Sequence, residues 1–250
     1  AAGASAQVGP LHEVFWERPP APGPYTALLW QFDGEAGADE ERLLAELTGP
    51  AEAPAGGRQE LLGGTEKIAA RLGGDAAPAA EGKFGGSLRL KGRGWAAPAS
   101  PLPAKRVATE GALCFEMWLR PDPKAAGEQT LLHLPGAARE AVRLRWAPDG
   151  ALSLWAGERR VGGHDRPAPA GTWTHAALVL SPAGTAGLYV NGTRRTLQPE
   201  PDAALAAAVR GAAQTFAVGG DPDGPGGGFI GHLDAVHVRL RDPGFYEWQD

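Results

Sequence analysis

Apolar and polar residues alternate through much of the second half of the chain. In Leu113-Cys-Phe-Glu-Met-Trp-Leu-Arg120, the residues Leu113, Phe115, Met117 and Leu119 fall on one face and Glu116, Trp118 and Arg120 on the other, the period of two that a half-buried strand requires. The run stops at Pro121-Asp-Pro123. Similar patterns predict strands over 130–134, 174–180, 187–190, 193–197, 214–219 and 231–240, and a hairpin in which 141–146 pairs with 151–155 across the turn Ala147-Pro-Asp-Gly150. Asn191-Gly192 sits between two of these strands, and it is the pair that a two-residue type I′ turn demands, because both central residues need φ above zero. In the first half, 26–33 reads as a strand ending in a glycine turn, 40–47 as a short helix, 51–57 as a loop, and 67–72 and 85–90 as strand-like pieces. Residues 203–209 suit one helical turn or two, and 220–228 a loop. Short strands at spacings of about 8 to 15 residues with little helix predict an all-β fold, a two-sheet antiparallel β-sandwich or jelly roll.

Composition agrees. The 250 residues are 43% hydrophobic and 21% charged, enough to bury a sizeable core, and 37 glycines with 23 prolines favour many turns over long helices. A formal charge of −5 removes the positive field on which sequence-independent nucleic-acid binding depends. The single cysteine, Cys114, excludes an intrachain disulfide, and its place in an apolar strand makes it a small buried hydrophobe. No stretch approaches the roughly 18 apolar residues of a membrane helix. The opening Ala-Gly-Ala-Ser-Ala resembles a signal-peptidase junction, consistent with a secreted, periplasmic or cell-surface location, and equally with a plain terminus.

No internal repeat divides the chain. Residues 1–24 form an extended, proline-rich N-terminal arm carrying Phe15 and Trp16, residues 25–241 one domain, and residues 242–250 a tail carrying Phe245, Tyr246 and Trp248. Large aromatics on such segments predict docking, either on the domain's own flank or on a partner.

Five motifs in order resemble the laminin-G-like jelly rolls of the concanavalin A-like lectin and glucanase superfamily. They are Phe115-Glu-Met-Trp-Leu-Arg-Pro121, Gly171-Thr-Trp-Thr-His-Ala-Ala-Leu178, Leu188-Tyr-Val-Asn-Gly192 and Phe229-Ile-Gly-His-Leu-Asp-Ala-Val-His-Val238, preceded by Lys83-Phe-Gly-Gly-Ser-Leu-Arg-Leu90 with Leu28-Leu-Trp-Gln-Phe-Asp33. The resemblance implies a concanavalin A-like sandwich. Many members hold a structural calcium ion, and the corresponding positions here are Asp33, Gly85 and Asp234, oxygen donors of the kind calcium prefers. Glucanases of the superfamily carry Glu-x-Asp-x-x-Glu on one strand. Here Glu116 stands alone on its strand, and a lone carboxylate cannot fill both roles of a two-carboxylate mechanism.

Binding is therefore the expectation. Opposite the apolar rows stand Glu116, Trp118, Arg120, Arg143, Arg145, Trp155 and Tyr189, flat aromatics mixed with hydrogen-bonding groups that suit sugar rings or a protein surface on one sheet. A tryptophan in such a strand is also a normal core residue. The reading is a non-catalytic, extracytoplasmic module that binds a glycan or cell-surface ligand. The alternatives are an accessory subunit of a larger envelope or extracellular assembly, docked through arm and tail, and a glycan hydrolase. His232 and His237, five residues apart on one strand, are predicted to face opposite ways. Asn191-Gly-Thr193 is also formally a glycan-acceptor triplet.

Overall fold

The computed structural model describes residues 26–32, 68–102, 111–136, 141–212, 215–224 and 226–240. The arm and tail aromatics Phe15, Trp16, Phe245, Tyr246 and Trp248, the expected helix over 40–47 and the candidate calcium ligand Asp33 lie outside these residues.

Two antiparallel sheets form the sandwich. The first runs, in spatial order, β13 (Thr193–Gln198), β12 (Ala186–Val190), β11 (Thr174–Leu180), β6 (Leu113–Pro121), β15 (Ile230–Arg239), β4 (Ser87–Lys91) and β3 (Ala77–Ala79), with β1 (Thr26–Trp30) also paired to β15. The second runs β10 (Arg159–His164), β9 (Leu152–Ala156), β8 (Val142–Trp146), β7 (Gln129–Leu134), β14 (Ala217–Val218), β5 (Trp95–Pro98) and β2 (Ala70–Gly73). The apolar rows read from the sequence meet between the sheets. Leu113, Phe115, Met117 and Leu119 of β6 pack there with Leu178 and Leu180 of β11 and Leu132, Leu144 and Leu154 of the second sheet. Phe216 is the hinge of the aromatic core, 5.1 Å from Phe115 and 6.0 Å from Trp30 between ring centroids. The indole N–H groups of the two fully buried tryptophans donate to carbonyls, Trp30 to Ile68 at 3.2 Å and Trp146 to Ala168 at 2.8 Å, so neither buries an unmet donor.

The Asn191-Gly192 turn forms as expected, with φ of 46° and 77°. Asn191 Oδ1 accepts the His175 amide at 2.9 Å, which ties the turn to the start of β11. Where 203–209 suits a turn or two, α1 (Ala203–Ala212) is a full helix. Asp202 caps it, its Oδ1 accepting the amides of Ala204 and Leu205 at 2.9 and 3.1 Å. Leu205, Ala208 and Val209 then close one end of the core. Three strands escape the periodic reading. β3 and β10 are outermost described strands of their sheets, half-buried or exposed except at His164, and Ala-Pro-Ala and Arg-Arg-Val-Gly-Gly-His carry no alternation. β5 ends in Pro98 and offers mainly alanines.

One expectation is corrected outright. Ala235 takes a left-handed backbone, φ 48°, and the pairing of β15 with β6 slips between Asp234 and His237. This bulge adds one residue to β15 and reverses the side-chain parity beyond it. His232, opposite Arg120, and His237, opposite Glu116, therefore share the outward face of the first sheet. The bulge also marks where β15 changes neighbours, from β4 along 230–233 to β1 along 236–239.

Candidate functional site

The outward face of the first sheet is a buried polar cluster. Glu116 is 5% exposed, Trp118 7% and Tyr189 2%. The Glu116 carboxylate lies 2.5 Å from Arg239 Nε and 3.7 Å from His175 Nε2, with the Cys114 thiol 3.9 Å away. Burial works against its ionisation, but the polar contact with His175 and the charge of Arg239, with the neighbouring His237 and His175, outweigh it and hold the carboxyl below the usual range. Trp118 is boxed by the Phe84 ring, edge-on at 5.7 Å, the His175 ring at 5.5 Å and Lys83 Nζ at 4.7 Å. Arg194 lies 5.7 Å over the Tyr189 ring.

Asp234 works as a staple. Its Oδ2 accepts the amides of Lys83 at 2.7 Å and Phe84 at 3.0 Å, and Oδ1 the amide of Ala235 at 2.6 Å, so it holds both the bulge and the chain leading into β4. The carbonyl of Gly85, the other described member of the expected calcium set, accepts the Gly82 amide at 2.6 Å. Among the described residues no group of three or more His, Cys, Asp and Glu side chains is placed to hold a metal.

His237 is buried with Nε2 2.8 Å from Thr26 Oγ1, and burial pulls its pKa down to about 4 despite Glu116. The sign follows. An imidazole that titrates near 6.5 when unfolded and near 4 when folded leaves stability intact above pH 6.5. Below that the unfolded chain gains a proton that the fold refuses, costing at most about 3 kcal/mol by pH 4. His133, His164 and His232 are shifted the same way, each chiefly by burial. The melting temperature is expected to be level above pH 7 and to fall between pH 6.5 and 4, with a shallower fall in His237→Gln; an unchanged acid slope in that variant contradicts the assignment.

The outward face of the second sheet is half-exposed at Arg143, Arg145 and Trp155. Arg143 and Arg145 of β8 stand opposite Trp155 and Ser153 of β9. The Arg145 guanidinium lies 4.7 Å over the half-exposed Trp155 ring, whose N–H donates to Ser153 Oγ at 2.9 Å. Arg145 also pairs with Glu128 at 3.2 Å, and Arg143 with Asp221 at 3.5 Å. Asp221 reaches His133 Nδ1 at 3.3 Å as well. Beyond β14 stands a second half-buried tryptophan, Trp95 of β5, with Arg71 5.3 Å over its ring. Beside it opens a cavity of about 500 Å³ lined by Arg93, Trp95, Asp221 and glycines of 220–228. A Cβ on Gly220 or Gly228 would come within 2.8 Å of a backbone oxygen, so these glycines keep the cavity wall close. Trp155 and Trp95 are four strand spacings apart, about 19 Å.

The seven expected binding residues therefore do not share one sheet. Arg143, Arg145 and Trp155 meet on the second. Glu116, Trp118, Arg120 and Tyr189 belong to the first, where only Arg120, stacked 5.1 Å over Trp173, is partly exposed. Trp95, His133 and Asp221 were not legible as site residues, because they come from an alanine-rich strand, a short apolar strand and a glycine loop that only the sheet order brings together.

A laminin G-type model of the concanavalin A-like lectin/glucanases superfamily matches residues 96–241. The chain belongs to this superfamily. The match runs from within β5 to the end of β15, and so includes Glu116, Trp118, Arg143, Arg145 and Trp155 but not Trp95, Lys83 or Phe84. No curated protein matches the chain significantly. Among solved structures, this concanavalin A-like chain is similar to domain 4 of AbnA, an extracellular arabinanase from Geobacillus stearothermophilus, in complex with arabinotriose. There the identity is 19%, the TM-score 0.56, and coverage 86% of this chain and 92% of that one. It is also similar to the receptor-binding domain of botulinum neurotoxin C/D mosaic serotype, at 11% identity and TM-score 0.52, over 90% of this chain and 51% of that one. The binding domain of botulinum neurotoxin DC, in complex with SialylT, is similar at 10% identity and TM-score 0.52, over 87% and 48%. The chain spans about half the length of those neurotoxin domains. These likenesses concern the fold.

Proposed function

We propose that this chain is a non-catalytic, extracytoplasmic carbohydrate-binding module that holds a neutral glycan across the outward face of its second sheet. The observation that carries the reading is Trp155, half-exposed and held flat by Arg145 and Ser153 beside the Arg143–Asp221–His133 group. Aromatic faces suit the C–H faces of sugars, and paired charges supply donors and acceptors to hydroxyls without a net charge to repel or demand. The two arginines beside Trp155 on β8 each have a carboxylate, Arg143 with Asp221 and Arg145 with Glu128. The arabinotriose complex of AbnA domain 4, a similar fold from an extracellular enzyme, supports both ligand class and location.

Binding without hydrolysis is supported by the acids. Glu116 is buried and paired with Arg239, and Asp234, a second buried carboxylate of that face, is committed to three backbone amides. Neither can approach a glycosidic bond from both sides as an acid and a nucleophile must.

Trp155→Ala is expected to weaken binding of a neutral oligosaccharide about tenfold or more in solution, since stacking on one aromatic is worth about 0.5–1.5 kcal/mol beyond the area it buries. The melting temperature is expected to stay within about 2 °C, because Trp155 faces away from the core. Undiminished binding by a folded Trp155→Ala protein contradicts the placement.

A further inference from the structure

We propose a second ligand site, specific for a carboxylate-bearing saccharide, in the cavity at one end of the first sheet where Arg89, His232, Arg120 and Trp173 form a row across four strands. The inference rests on the reading of the domain as carbohydrate-binding but uses the opposite side of the sandwich.

The row follows from register. His232 of β15 stands opposite Arg89 of β4 on one side and Arg120 of β6 on the other. Trp173, one residue before β11, continues it, with the Arg120 guanidinium over its ring. Four neighbouring strands place the ends about 14 Å apart. The adjoining cavity, about 530 Å³, is lined by Arg89, Lys91, Arg120 and His232, and by one carboxylate, Asp122. Three fixed cations against one acid make a positive cavity in a chain of net charge −5.

Geometry suits an anion attached to a ring. Arginine binds a carboxylate through parallel N–H groups, and Trp173 beside it offers an aromatic surface for the rest of the sugar. A stand-in already occupies Arg120: Glu81 Oε2 lies 3.3 Å from its Nη2. The Glu81 side chain is 80% exposed, so the pair contributes little and is readily exchanged for a ligand carboxylate.

His232 adds a pH dependence. Ser87 Oγ donates to the Glu81 carbonyl at 2.9 Å, so its lone pair accepts from His232 Nδ1 at 2.9 Å. In the neutral ring Nε2 is then an acceptor, which repels a carboxylate until it is protonated. The charged groups facing the ring are Arg120, Glu81, Arg89 and Asp122, and burial with the two arginines holds it neutral below its usual range. A bound anion reverses that balance.

Calorimetric titration of the whole chain at low salt tests the proposal. The ligands are a uronic-acid trisaccharide and a sialylated trisaccharide, each beside its neutral parent, and sodium sulfate. Either acidic sugar is expected to bind at least tenfold more tightly than its parent. Arg89→Gln and Arg120→Gln are each expected to lower that affinity about tenfold, and Glu81→Gln to raise it several-fold. Affinity is expected to rise from pH 7.5 to 5.5, a rise that His232→Gln loses. Equal affinity for acidic and neutral sugars, or sulfate binding as tightly as either acid sugar, overturns it. Trp155→Ala separates the sites: if it abolishes acidic-sugar binding, the ligand sits on the second sheet and this site fails. If acidic sugars bind while neutral ones bind neither protein, it is the reading of the second sheet that fails.

Discussion

Glu116→Ala is expected to lower the free energy of unfolding by about 3–5 kcal/mol, the cost of removing one partner from a buried ion pair. Its carboxylate meets Arg239 Nε, His175 Nε2 and the Cys114 thiol. Its loss removes a carboxylate that is 5% exposed from beside a guanidinium 2.5 Å away whose side chain is 22% exposed. Replacing both partners separates that penalty from the worth of the pair. Glu116→Leu combined with Arg239→Leu is expected to recover most of the loss, because both members of the pair are then removed together. Urea denaturation of the single and double variants reads both numbers. A single-variant loss under about 1 kcal/mol would be the behaviour of an exposed pair and contradicts the burial.

Asp234→Ala is expected to cost about 3–4 kcal/mol. Three backbone amides, of Lys83, Phe84 and Ala235, point at one carboxylate, and hydrogen bonds to a charged acceptor contribute about 1.5–3 kcal/mol each before water replaces some of them. Two consequences separate this staple from a generic core residue. The bulge loses the bond that secures Ala235 in its left-handed conformation, and the 83–84 segment is released from β15. Hydrogen exchange is therefore expected to rise first at Lys83 and Phe84, ahead of the β6–β11 ladder. Asp234→Asn, which keeps one acceptor oxygen, is expected to lose less. Uniform protection loss across the first sheet would instead mark Asp234 as ordinary core.

The fold was largely legible because its evidence is local. Alternation in 113–120 and 174–180 and the Asn191-Gly192 turn each carry their own physical reason, and their order carries the family. The site was less legible for three reasons. Whether a strand's second face is open depends on what covers it: Glu116 and Trp118 read as solvent-facing, yet Phe84, His175 and Lys83 close around Trp118 and Arg239 takes up Glu116. Sheet membership is a property of pairing, so Arg143 and Arg120 look alike in sequence and stand on opposite sides of the sandwich. The parity of β15 turns on a bulge at Ala235, a residue with no preference for positive φ, and nothing in Leu-Asp-Ala-Val announces it. That one inserted residue brings His232 and His237 to the same face.

Carbohydrate recognition by the intact, folded chain is the central claim, and a glycan array tests it most directly. The account predicts retention on at least one neutral oligosaccharide, lost in Trp155→Ala and kept in Arg89→Gln. A blank array from protein whose cooperative melting shows it to be folded contradicts it.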